Sequence, residues 1–232
     1  MITSTLGGRL VVLFDLDGTV LTFEGPAPGP GRTALELAMK ELHAFDRASD
    51  GLRLAGGTDR ALARAMLQRA GASDDDEAIA RVLGRYVVHL ESVLRTRRYR
   101  PIGPVASSVQ RLQASGAVVG VATGNTRVGA RLKLASAGLV DCFDLARGAY
   151  GCDAEARAEI VRLAAMRCGA REGGADVVVV GDTEHDVRAA RALGARVVGV
   201  ATSMAARDEL RDAGADAVVE RCDEHLVAAV LG

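Results

Sequence analysis

The sequence predicts an α/β protein: a parallel sheet core wrapped by helices, with an all-helical segment inserted after the first strand. Three observations carry that expectation. Apolar, β-branched runs of strand length open at Leu10 and return from Ala117 onward, alternating with helix-length segments. Residues 23–99, in contrast, show helical spacing and no strand pattern. Polar clusters sit at the carboxyl ends of the apolar runs, where open α/β sheets bind ligands.

The first run, from Leu10 to Phe14, is too short for a helix and leads straight into Asp15, Asp17, Gly18 and Thr19. Gly and Pro then crowd residues 25–31, a loop by composition. Helices are expected over 32–47, over 58–70 with Thr58 as N-cap, and from an acidic start at 73–76 to about 97. The expected organisation is therefore a core of residues 1–22 and 100–232 around an insertion at 23–99. In the second half, helices are expected over 105–115, 127–137, 154–168, 189–193 and 223–230. Strands are expected over 117–122, weakly over 143–146, then over 176–180, 196–200 and 217–219. Gly138 and Gly194 stand where helices stop.

Composition excludes several classes. With 29 basic and 30 acidic residues in 232, a net charge of −1 gives no field to attract nucleic acid or a membrane surface. Lys40 and Lys133 are the two lysines, every other basic side chain being arginine. Cys142, Cys152, Cys168 and Cys222 lie far apart with no C-x-x-C pair, which suggests neither a zinc site nor a disulfide framework. The first residues lack the basic and apolar regions of a secretory leader, and no run reaches the ~18 apolar residues of a membrane span. A soluble cytoplasmic protein is expected. Its oligomeric state is not written in the sequence.

Three strand ends carry polar clusters: Asp15 with Asp17, Thr123 with Asn125, and Asp182 with Asp186. A parallel sheet brings such ends to one edge. Carboxylates gathered in one cleft repel one another unless a cation sits among them. Hard oxygen donors with no His or Cys cluster beside them favour Mg²⁺. A cation beside a hydroxyl donor suits a phosphoryl group. The plainer readings are a calcium loop, a helix cap at Thr123, and helix-start acids at Asp182 and Asp186. A calcium loop starting at Asp15 would need Glu at its twelfth position, which is Pro26. His185 is expected to flank the site, and His43, His89 and His225 to lie on helices in packing or surface roles.

These motifs resemble the haloacid dehalogenase superfamily, in its phosphatase branch with a helical cap. Asp15-Leu16-Asp17-Gly18-Thr19 matches that family's first motif in full. Val121-Ala122-Thr123-Gly124-Asn125 matches the second, and Gly181-Asp182-Thr183-Glu184-His185-Asp186 the fourth. The resemblance implies a Rossmann-like core and a Mg²⁺-dependent phosphatase of a small phosphorylated metabolite, similar to phosphoglycolate phosphatases. It implies Asp15 as nucleophile and Asp17 as general acid and base. Thr123 would hold the phosphoryl oxygens, with Gly18, Thr19, Gly124 and Asn125 around the phosphate. Asp15, Asp182, Asp186 and the Asp17 carbonyl would serve the metal. The third motif departs from the pattern, because no lysine follows Lys133. Arg157 is the expected cation, with Lys133 as its rival; mid-helix, Lys133 is more simply expected at the surface. The turn at 54–59 resembles a cap loop that reaches the active site, so Arg53, Thr58 and Asp59 are candidates for substrate contact; a flexible turn at Gly56-Gly57 is the alternative. Competing activities are a sugar phosphomutase on the same core, a phospho-aspartate switch and a non-catalytic binding module. Asp17 argues against a dehalogenase, which lacks the second acid.

Overall fold

The structure, a computed structural model, describes residues 9–52 and 56–232. Its centre is β1 (Val11–Phe14), hydrogen-bonded in parallel to β4 (Val118–Thr123) on one side and β6 (Val177–Gly181) on the other. Outside β4 lies β5 (Ala149–Tyr150); outside β6 lie β7 (Arg196–Val200) and β8 (Ala217–Val219). The order is β5-β4-β1-β6-β7-β8, all parallel. The continuous valine runs of β1 and β6 follow from burial on both faces. Val12 and Phe14 face one apolar cluster, Val11 and Leu13 the other, as strand alternation requires. Register pairs Phe14 with Val121 and with Val180, so the residues after these three positions emerge at one edge.

Helices α4 (Val105–Ala114), α5 (Arg127–Ser136) and α9 (Glu224–Leu231) pack on the Phe14 face. Helices α6 (Arg157–Arg167), α7 (Glu184–Leu193) and α8 (Met204–Asp212) pack on the Leu13 face. Between β1 and β4 the chain forms α1 (Pro30–His43), α2 (Asp59–Arg69) and α3 (Asp76–Val93). α1 and α2 pack on α3 through Leu35, Met39, Met66, Ile79 and Val82, all buried. This segment is closed at its base by an antiparallel pair, β2 (Leu21–Phe23) with β3 (Tyr99–Pro101), which the sequence reading did not foresee. Among the described residues, no helix is long and apolar enough to cross a membrane.

Two expectations are corrected. No strand forms over 143–146; a short 3₁₀ turn (Val140–Cys142) precedes that stretch, and the edge strand comes later, as β5. Phe143 is buried because its ring packs edge-on against Phe14, 5.8 Å between centroids, and not because it sits in a sheet. Helix α7 also starts earlier than expected, at Glu184, because Thr183 and Asp186 form a capping box.

Candidate active site

The site grows from the turn that follows β1. Gly18 has φ +84°, and its N–H donates to the Leu21 carbonyl at 2.8 Å. A Cβ at this position would collide with the Asp182 carboxylate, so glycine is what lets the Asp15–Gly18 turn lie against the end of β6. Asp15, Asp182 and Asp186 each offer an oxygen within 4.8 Å of the others. Arg157, the first residue of α6, reaches into this cluster. Its Nη2 lies 2.8 Å from Asp15 Oδ1, and its Nε donates to Asp186 Oδ1 at 3.0 Å. The other oxygen of Asp186 accepts from the Thr183 N–H at 3.1 Å and hydroxyl at 2.8 Å. Asp186 is fully buried and thereby holds the guanidinium in place.

Burial pushes the Asp15 carboxyl above its ordinary value, with Arg157 pulling the other way. Asp182 is driven well up by burial, then by the charges of Asp15 and Asp186; the Thr19 hydroxyl opposes this by donating to it at 3.1 Å. Burial disfavours the charge on Arg157, yet the Asp15 and Asp186 carboxylates outweigh it and raise the guanidinium above its usual range. One guanidinium thus faces three carboxylates. The leftover negative charge and the all-oxygen donor set fit a hard divalent cation such as Mg²⁺.

A second charge pair faces the first. Asp17 Oδ2 accepts from Lys133 Nζ at 2.6 Å and from Asn125 Nδ2 at 2.8 Å. Asn125 Nδ2 also donates to Thr123 Oγ1 at 2.8 Å, and Asn125 Oδ1 accepts from Lys133. Burial works to raise Asp17, but the Lys133 charge and these hydrogen bonds leave it below its ordinary value. The expectation of a surface Lys133 is therefore corrected. Its side chain is 6% exposed, with the ammonium over the Tyr99 ring at 5.4 Å. The signal was present: Lys133 lies on the same face of α5 as Gly129, Ala130 and Leu134, all buried. Arg157 and Lys133 are both at the site, each serving a different acid of the first motif.

The inserted helices complete the enclosure. The N–H of Asp59 donates to the Gly124 carbonyl at 2.8 Å, and Asp59 Oδ2 accepts from the Thr126 N–H at 2.7 Å. Burial pushes the Asp59 carboxyl up to about 6. Gly56 rests against His185 and Thr183, where a Cβ would collide with the imidazole ring. Two further candidates have local partners, and Thr58 is the N-cap expected from the sequence. Thr58 is buried and caps α2, accepting from the Ala61 N–H at 3.1 Å. Thr19 is fully buried beneath the turn and serves Asp182. Arg53 lies outside the described residues.

Between core and insertion lies a cavity of about 430 Å³. Asp15, Asp17, Thr123, Gly124, Asn125 and Asp182 line its core side. Its other wall, which the sequence reading did not assemble, includes Phe23, Tyr86 and Tyr99.

Residues 10–194 match the model of a hydrolase family described as haloacid dehalogenase-like hydrolase. The chain belongs to that family. This haloacid dehalogenase-like hydrolase is 30% identical, over 222 residues, to "Probable phosphatase IndB" of Dickeya dadantii (strain 3937), covering 94% of this chain and 93% of that protein. Its fold is shared with a family IA, variant 3 hydrolase of Entamoeba histolytica HM-1:IMSS (TM-score 0.70, 16% identity, 97% and 100% of the two chains). It is shared also with a "predicted phosphoglycolate phosphatase" of Haemophilus somnus 129pt (TM-score 0.67, 17% identity, 96% and 98%).

Proposed function

We propose that this haloacid dehalogenase-like hydrolase is a Mg²⁺-dependent phosphatase of a small phosphorylated metabolite, with residues 23–99 acting as a cap over the active site. One observation carries the reading: Asp15, Asp17, Thr123 and Asp182 line one side of a single cavity, with Arg157 beside them and the inserted helices across from them. The phosphatase description of the Dickeya protein supports the same reaction.

In this reading an Asp15 carboxylate oxygen attacks phosphorus, and the bond from phosphorus to the leaving oxygen breaks. Asp17 gives that oxygen its proton. Water then attacks the aspartyl-phosphate, Asp17 takes the water's proton, and inorganic phosphate leaves with the Asp15 carboxylate restored. Lys133 keeps Asp17 ionised in the resting site, ready for the second step; an incoming phosphoryl dianion favours its protonated form for the first. The Thr123 hydroxyl accepts from Asn125, so its own proton remains to be given to a phosphoryl oxygen. Arg157 orients Asp15 and offsets phosphoryl charge. Asp15, Asp182, Asp186 and the Asp17 carbonyl would hold Mg²⁺, which supplies charge stabilisation at the phosphoryl group. The contacts of Gly56 with His185 and of Asp59 with Gly124 and Thr126 seat the cap on the core beside the catalytic acids.

Purified protein with Mg²⁺ should release phosphate from an aryl phosphate, and chelation should stop it. Asp15→Asn should abolish release. Ordinary turnover by that variant would overturn the mechanism, and isomerised sugar phosphate as product would point to a mutase.

A further inference from the structure

The wall of the cavity opposite the catalytic acids is apolar and aromatic. Leu21, Phe23, Leu35, Leu62 and Tyr99 line it, and the Phe23 and Tyr99 rings meet edge-on with centroids 6.5 Å apart. Tyr99 stands beside Asp17, the residue that faces the leaving oxygen, and its hydroxyl accepts from the Gly31 N–H at 3.3 Å. The leaving group therefore starts among aromatic rings.

Within this wall is an uncommitted polar atom. Tyr86 on α3 is 1% exposed, lines the cavity, and its Oη has no hydrogen-bond partner. A buried hydroxyl left unpaired costs about 1–3 kcal/mol. Gly129 makes room for it, since a Cβ there would sit 3.3 Å from Tyr86 Oη. Burial keeps this phenol well above its ordinary pKa, so it remains a neutral donor.

The cations of the cavity are already engaged. Among the described lining residues, Arg157 pairs with Asp15 and Asp186, Lys133 with Asp17, and Arg32 with Glu36 and Asp50. Asp59 adds a carboxyl to the same wall. An anionic leaving group would meet acids and no spare positive charge among these described residues.

Resting on the phosphatase reading, we propose that the substrate is the phosphate ester of a neutral, flat, largely apolar alcohol carrying a hydrogen-bonding group, and that Tyr86 is the specificity residue that pairs with that group. The ring and aliphatic side chains supply affinity, and the Tyr86 hydroxyl supplies orientation. A site built to hydrogen-bond a substrate group discriminates against analogues that lack it.

Three kinds of ester with leaving alcohols of similar basicity separate the possibilities: carbamoylbenzyl phosphate (meta and para isomers), benzyl phosphate and 2-phosphoglycolate. With Mg²⁺, both benzyl esters should exceed 2-phosphoglycolate in kcat/KM by roughly 30-fold or more, from burial of the ring. At least one carbamoyl isomer should exceed benzyl phosphate. Tyr86→Phe should lower the ratio of kcat/KM for that isomer to kcat/KM for benzyl phosphate about fivefold to tenfold, an effect that loss of packing, acting on both esters alike, would not produce. The variant should fold as well as wild type, because the hydroxyl it removes is unpaired. A preference for 2-phosphoglycolate overturns this inference, as does a Tyr86→Phe effect equal on all esters; in both cases Asp15-dependent hydrolysis leaves the phosphatase reading standing. Failure to hydrolyse any of the esters overturns the substrate class, and an aryl phosphate tested in parallel then decides the phosphatase reading separately.

Discussion

The Asp17–Lys133 pair predicts an asymmetry that counting charges would miss. Lys133 Nζ lies 2.6 Å from Asp17 Oδ2, yet the lysine side chain is 6% exposed and the aspartate side chain 40%. Unit charges this close attract by roughly 6 kcal/mol at an effective dielectric of about 20. Most of that offsets the burial of the ammonium, and water at Asp17 screens part of the rest. In Asp17→Asn the ammonium stays buried, with Asn125 and the Tyr99 ring as neighbours. In Lys133→Met the buried charge is gone, and the carboxylate that remains is the one water reaches. Breaking a fully buried pair costs about 3–5 kcal/mol; allowing for the exposed half leaves about 2 kcal/mol for Asp17→Asn and about 0–1 kcal/mol for Lys133→Met. The double variant should return to within about 1 kcal/mol of wild type, since no buried ammonium is left unpaired. Urea unfolding at pH 7 measures all four proteins, with chelator present so that metal binding adds nothing to the free energy. The pair also sets a pH window. Asp17 is lowered, so its contribution disappears as pH falls through its folded value; Lys133 is raised, so its contribution disappears as pH rises through its own. A Lys133→Met loss as large as that of Asp17→Asn, or a double variant no better than Asp17→Asn, refutes the reasoning.

Other sites give sharper or simpler outcomes. Arg157→Gln leaves three clustered carboxylates without their guanidinium, and kcat/KM for an aryl phosphate should fall about 10²–10³-fold; Arg157→Lys keeps the charge but not the bridge from Asp15 to Asp186, and should fall between. Gly18→Ala puts a Cβ into the Asp182 carboxylate at φ +84°; wild type should gain Tm on addition of Mg²⁺ and this variant should not, read by thermal melting with and without the metal. Asp59, raised to about 6, contributes stability that is complete below its unfolded value near 4 and is lost as pH rises through about 6. The stability of wild type relative to Asp59→Asn should therefore drop by about 1–2 kcal/mol between pH 4 and 7, after allowance for water in the cavity; unfolding curves across that range that stay parallel would reject it.

What could be read from the sequence followed local pattern. Val11–Phe14 and Val177–Gly181 were legible as strands because central parallel strands are apolar on both faces. Their polar ends gave Asp15, Asp17 and Asp182 directly. Lys133 was misplaced because a lysine in a helix is ordinarily solvated, and its buried neighbours Ala130 and Leu134 carried less weight than its own charge. β2 and β3 pair across the whole insertion, so neither three-residue segment has a local signal strong enough to mark it. The stretch around Phe143 misled in the other direction: an apolar residue that packs on Phe14 looks like a strand residue when only burial is encoded. Helix α8 buries Leu210 alone, too narrow a stripe to stand out from a polar loop.

The two cations divide the site into ends of different character, and that division follows from which helix carries each. Arg157 opens α6, on the Leu13 side of the sheet, and meets Asp15 and Asp186; Asp182 adds charge that the guanidinium does not cancel. This end asks for more positive charge, which is what a metal brings and what a phosphoryl dianion then needs. Lys133 lies within α5, on the Phe14 side beneath the insertion, and is consumed by Asp17 and Asn125. That end offers rings, aliphatic side chains and one idle hydroxyl, but no free cation among its described residues. A ligand anionic at one end and neutral at the other matches both halves, and its two orientations in the cavity are not equivalent. The reversed one would bury phosphate against Tyr99 and Asp59 and leave the carboxylate cluster uncompensated. In the proposed reading, phosphorus is placed beside Asp15 from both ends of the cavity, by the charge that attracts it at one and by the lack of an unpaired cation among the described residues at the other.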